Sequence, residues 1–128
     1  MEDRYLFKAK HFEEWHIGNI VKEPDGLYIR DIKENVMVYI DDESTICQST
    51  GLKDKNGKLI WENDIAKDEK GNLYKAFWQK NYYQYSWICI KSNFLPSGAQ
   101  WNLWSIKSFE IEVIGNIFDN KELLESEG

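Results

Sequence analysis

The chain of 128 residues contains only two cysteines and two histidines, carries no net positive charge, and has no long apolar run. Cys47 and Cys89 stand far apart, without the paired spacing of a zinc site or the density of a disulfide framework. Both lie in strand-like runs, which fits buried free thiols. The longest apolar runs, such as Val36 to Ile40, are too short to span a bilayer. The opening Met1-Glu2-Asp3-Arg4 is charged and no apolar core follows it, so no signal peptide is expected. A cytoplasmic protein with no membrane partner is the resulting expectation. His11 and His16 are five residues apart, a spacing that suits neither one helix face nor one strand face. No Gly-rich phosphate loop precedes a helix, and no Gly-x-Ser-x-Gly elbow is present. We therefore expect no cofactor, no metal site and no established catalytic set.

What is present is aromatic. Nineteen Phe, Trp and Tyr residues make up 15% of the chain, enough apolar surface for a folded core. The net charge of −6 is uneven: residues 51–91 carry eight lysines against five acids, while both ends are acidic. An acidic whole disfavours non-specific binding to duplex DNA. The basic middle leaves room for a local nucleic-acid site. A length of 128 residues fits one domain, 1–128.

Turn signals arrive often. Pro24-Asp25-Gly26 reads as a hairpin connection between Ile17–Val21 and Leu27–Arg30. Asp41-Asp42-Glu43 is a polar turn before a strand at Ser44–Gln48; it lacks the spaced ligand pattern of a calcium loop. Asn56-Gly57 offers the positive φ angles of a tight hairpin. Asp68-Glu69-Lys70-Gly71-Asn72 separates Ile65–Lys67 from Leu73–Gln79, and Lys80-Asn81 turns the chain into Tyr83–Ile90. Pro96-Ser97-Gly98 precedes a strand at Trp101–Ile106, and Phe109–Ile117 reads as the last strand, with Ile114 blurring its alternation. The pattern predicts an all-β, antiparallel domain, barrel- or sandwich-like. A short C-terminal helix, capped by Asp119 or Asn120, closes it with Leu123-Leu124 as its apolar face. Phe12, Trp15 and His16 leave a helical turn at His11–Gly18 as an alternative.

Two blocks carry a family likeness. The first is Gln48 to Ile65, with Thr50-Gly51-Leu52, Asp54, Asn56-Gly57-Lys58 and the ending Trp61-Glu62-Asn63-Asp64-Ile65. The second is Glu112 to Leu124, with Val113-Ile114-Gly115-Asn116-Ile117 and Asn120-Lys121-Glu122-Leu123-Leu124. Together they resemble the YopX family, small proteins encoded by bacteriophages and prophages. Trp61, Asn63 and Ala66 depart from that family's usual Tyr, Gly and Val. The resemblance implies a β-rich phage or prophage protein in a bacterial host; it implies no activity. Both blocks read as turns and strands.

The functional candidates lie elsewhere. Phe77, Trp78, Tyr82, Tyr83, Tyr85 and Trp87 crowd one hairpin beside Lys75 and Lys80, and Trp101 and Trp104 can join them in space. Such rings build a core, anchor a protein partner or a second copy, stack the bases of single-stranded nucleic acid, or stack on sugars. Since their facing differs, at least one of Tyr82 and Tyr83 should be exposed. Phe94 and Leu95, in a loop, are the second candidate. The binding set is therefore Trp78, Tyr82, Tyr83, Tyr85, Phe94 and Leu95. The favoured reading is a non-enzymatic interaction protein, the runner-up a single-stranded nucleic-acid binder. A third reading, an enzyme, would use Glu62 and Asp64, although Asp64 more readily braces the turn after Trp61.

Overall fold

The computed structural model describes residues 6–93, 95, 96, 98–102 and 110–124. Its regular structure is eleven strands and short 3₁₀ turns, and it divides into two compact units, Met1–Gly51 and Leu52–Gly128.

The first unit is built on β1 (Phe7–His11), β2 (Glu14–Glu23), β3 (Gly26–Asp31), β4 (Val36–Tyr39) and the start of β5 (Cys47–Lys53). Neighbouring strands are antiparallel, in the order β4-β3-β2-β1-β5. Pro24 and Asp25 make the expected tight link, closing on the Glu23–Gly26 pair. The link from β1 to β2 is also two residues, Phe12 and Glu13, and closes on the His11–Glu14 pair. A hairpin thus replaces the helical turn considered for His11–Gly18. Both linking residues take positive φ, +46° and +72°, the arrangement that best matches the right-handed twist of the strands they join. Neither is a residue that favours this conformation, so strand pairing overrides local preference. The alternation rule places Ala9, Ile29 and Ile40 in the core, flanked by Ile20, Leu27, Val38 and Ile46.

The expected strand at Ser44–Gln48 begins late. Glu43–Thr45 forms a 3₁₀ turn because the Asp42 carboxylate accepts from the Ser44 N–H at 3.0 Å and the Ser44 hydroxyl at 2.6 Å. These bonds hold the Asp42 carboxyl below its ordinary range.

The second unit holds the end of β5, β6 (Leu59–Trp61) paired with it, and an open five-stranded sheet ordered β10-β9-β8-β7-β11. Its strands are β7 (Asp64–Asp68), β8 (Leu73–Gln79), β9 (Gln84–Lys91), β10 (Gln100–Asn102) and β11 (Ile111–Asn116). Neither sheet closes into a barrel among the described residues. The core is Ile60, Ala66, Tyr74, Ala76, Trp87, Cys89, Ile111 and Val113. Ile114 blurs the alternation because the register slips there: Val113 faces Ala66, yet Gly115 faces Ile65. The C-terminal helix is a single 3₁₀ turn, Lys121–Leu124, with Leu124 exposed; four residues are too few for an α-helical ladder. Beyond Asn102, the strand expected to reach Ile106 leaves the described residues, as does Trp104.

Candidate functional site

The register of β8 and β9 sorts the aromatic hairpin into two faces. Tyr74 pairs with Cys89, Ala76 with Trp87 and Trp78 with Tyr85, so these six share one face. Trp101 of β10 pairs with Trp87 and extends the row. Lys75, Phe77, Ser86 and Ile88 lie on the other face. The row is buried at one end and open at the other. Trp87 is 1% exposed, whereas Trp78 is 43% exposed and meets Tyr85 edge-on at 4.9 Å.

Past Trp78 the chain turns through Lys80–Tyr83. The Gln79 carbonyl accepts the Tyr82 N–H at 3.2 Å, and the Gln79 side-chain oxygen accepts the Asn81 N–H at 3.2 Å. Tyr83 sits at φ +50°, so β9 starts at Gln84 rather than Tyr83. Tyr82 is 73% and Tyr83 81% exposed, with Lys80 exposed beside them. The turn therefore displays two phenols beyond the Trp78–Tyr85 pair. Leu95 is half-buried and packs on the second-unit core, and its N–H bonds the Ser92 hydroxyl at 2.9 Å. Phe94 lies outside the described residues.

Two carboxylates of the first sequence block, Asp54 and Asp64, accept from backbone. Asp54 is buried; one oxygen accepts the Asn56 and Lys58 N–H groups, both at 2.9 Å, and the other accepts the Val113 N–H at 2.9 Å. That last bond ties the first block to the second. Gly57 takes φ +80° in the turn that Asp54 braces. Asn63 takes φ +72°, which Asn tolerates, and the buried Asp64 accepts the Trp61 N–H at 2.8 Å. In the second block Asn120 accepts the Asn116 N–H at 3.1 Å and packs where a Cβ on Gly115 would stand. Asn116 in turn accepts from Phe118 and Asp119, both at 2.9 Å. A comparison with protein families matches residues 8–125 to the family described as YopX protein. The chain belongs to the YopX family. No curated protein matches it. The motif residues of this YopX chain thus hold turns in place.

No helix among the described residues is long and apolar enough to cross a membrane. Cys47 and Cys89 are buried thiols outside any disulfide, and burial pushes the Cys89 thiol up, away from the reactive thiolate. Asp68 accepts from the Asn72 side chain at 2.8 Å and the Tyr74 hydroxyl at 2.8 Å. Burial raises its carboxyl, but these bonds and the Asn72 and Lys70 N–H groups outweigh burial and hold it low. Burial and the Asp68 contact both raise the Tyr74 phenol.

One constellation escaped the sequence reading. The β1–β2 register puts Ala9 opposite His16 and Glu14 opposite His11, so both imidazoles share one face of the hairpin. His16 Nδ1 lies 2.8 Å from the Asp31 carboxylate, whose other oxygen accepts the Lys33 N–H at 2.8 Å and the Glu34 N–H at 3.0 Å. His11 Nδ1 lies 2.9 Å from the Tyr39 carbonyl. The spacing test considered a single strand or helix; the signal that would have found the pair is the two-residue turn between them.

Proposed function

We propose that this YopX-family chain is a non-enzymatic interaction protein of phage or prophage origin. It works in the cytoplasm of the bacterial host, and the aromatic end of β8–β9 grips a protein partner. The carrying observation is the exposure of Tyr82 and Tyr83, 73% and 81%, at the end of the half-open Trp78–Tyr85 row. Tyr and Trp offer large, stiff contact area at low entropic cost and dominate the energetics of protein interfaces. The enzyme reading, on Glu62 and Asp64, gains nothing from Asp64, whose carboxylate accepts a turn amide.

The runner-up, single-stranded nucleic acid, draws on the same rings and on Lys80. It gains less from Lys75, which lies on the face opposite Trp78. A pull-down from host lysate, split into nuclease-treated and untreated halves, separates the two. The protein reading predicts a partner that survives nuclease and is lost with Tyr82→Ala/Tyr83→Ala, while Tm stays fixed. Binding should weaken at least about tenfold, as for hot-spot rings. Recovery of nucleic acid, with salt-sensitive binding and proteins released by nuclease, would replace it with the runner-up.

A further inference from the structure

We propose that His11 and His16 form a binding site for a divalent transition ion of the zinc class, held at the tip of the β1–β2 hairpin and oriented by Asp31. The argument starts from the protons. A backbone carbonyl only accepts, so the 2.9 Å contact with Tyr39 puts the proton of His11 on Nδ1. An ionised carboxylate also only accepts, so Asp31, at 2.8 Å, fixes the proton of His16 on Nδ1. A neutral imidazole held in this way keeps its lone pair on Nε2, in both rings. Nδ1–H bound to a carboxylate or a backbone carbonyl is the arrangement that orients metal-ligating histidines.

The two rings stand 6.4 Å apart between centroids, inclined at 64°. One ion with two Nε2 atoms at about 2 Å each spans such a gap after a small turn of the side chains. The His16 Nε2 is buried, and among the described residues no group bonds to it. An unsatisfied buried acceptor is costly, and a metal ion is a partner it can take. Asp31 itself is fixed by two backbone N–H groups, so its grip on His16 is rigid. At the turn, Phe12 lies edge-on to His11 at 4.4 Å and is itself 75% exposed. Imidazole nitrogens favour zinc, copper and nickel over magnesium or calcium. No group of three or more His, Cys, Asp or Glu that could hold an ion occurs among the described residues, so the proposed site takes its protein ligands from the two imidazoles.

The test uses the untagged full chain and zinc chloride alone. Calorimetry should give one ion per chain, and His11→Gln or His16→Gln should each weaken binding at least about tenfold, as expected when one of two ligands is lost. Asp31→Asn is the sharper variant. The amide keeps an oxygen for the Lys33 and Glu34 N–H groups but presents N–H to His16, which reverses the tautomer and blocks Nε2. A loss of about 10- to 100-fold is expected. Nitrogen NMR of the imidazoles in the unsubstituted chain reads the site directly: zinc should move both Nε2 resonances and leave both Nδ1 protonated. Absence of binding at millimolar zinc, a shift confined to one ring, or affinity that survives the histidine substitutions would overturn the proposal. Should His16→Gln fail to fold, the NMR titration of the unsubstituted chain decides.

Discussion

Asp31 and Asp54 are buried aspartates that begin the same way and end differently. Each accepts two backbone N–H groups from the turn that follows it: Lys33 and Glu34 for Asp31, Asn56 and Lys58 for Asp54. The second oxygen of Asp54 takes the buried Val113 N–H, a group with no freedom to respond to anything. The second oxygen of Asp31 takes the imidazole of His16, a group that can bind, titrate and rotate. A turn-bracing carboxylate is thus purely structural when its last partner is backbone. It becomes a positioning group when its last partner is a side chain with a second reactive atom. The same distinction separates Asp54 and Asp64 of the second unit, which brace backbone amides, from the hairpin end of the first.

The difference can be tested first by deletion. Asp54→Ala strands the buried Val113 N–H along with the turn amides, and an unsatisfied buried donor costs about 1–3 kcal/mol in itself. We expect a loss of about 3 kcal/mol in urea unfolding. A loss under about 1 kcal/mol would mean that water replaces the carboxylate and that the tie to β11 is dispensable. Asp31→Ala should cost less, about 1–2 kcal/mol, because the Lys33 and Glu34 amides border solvent and can be rehydrated. If Asp31→Ala proved the costlier of the two, the contrast drawn between them would fail.

These two sites were unequally legible. The Asp54 turn announces itself through Asn56-Gly57, because positive φ is cheap there. Gly71 was readable for the same reason, and Pro24-Asp25 because proline presets a turn φ. Phe12-Glu13 gives no such signal, and the Phe12, Trp15 and His16 spacing even imitates a helix; only pairing of β1 with β2 makes the turn. With the turn hidden, the meeting of His11 and His16 was hidden too. The aromatic hairpin was legible as a hairpin, but rings occupy both of its faces. Which rings face solvent depends on the β8–β9 register and on the length of the Lys80–Tyr83 turn, and neither is a local property. The slip at Ile114 was visible as a broken alternation, and its cause, an extra residue opposite β7, was not.

Acid distinguishes Asp31 further. The His16 imidazole, the Glu34 N–H and the Lys33 N–H together hold its carboxyl below the ordinary range, against the opposing effect of burial. A carboxyl whose folded pKa is depressed stabilises the fold fully above its unfolded pKa, about 4. That contribution disappears as pH falls through the lower, folded value. Unfolding midpoints of the native chain should therefore drop between about pH 4 and the folded value, and Asp31→Asn should flatten part of that drop. Asp68, also held low, leaves a residual slope in the variant. An unchanged acid limb would show that the carboxylate of Asp31 is not what its partners require.

The smallest effect expected is on the other surface. Tyr82 and Tyr83 stand in water, so truncating both removes little buried area, and the fold should change by less than about 0.5 kcal/mol. Tyr83→Asn should even stabilise slightly, since Asn is easier than Tyr to hold at φ +50°. Trp78→Ala is the control, because its ring packs edge-on with Tyr85 at 4.9 Å and its loss should be felt at about 1 kcal/mol. If Tyr82→Ala/Tyr83→Ala instead destabilised the chain as much as Trp78→Ala, the tip would belong to the packed row. The surface offered to a partner would then shrink to Lys80 and the edge of Trp78.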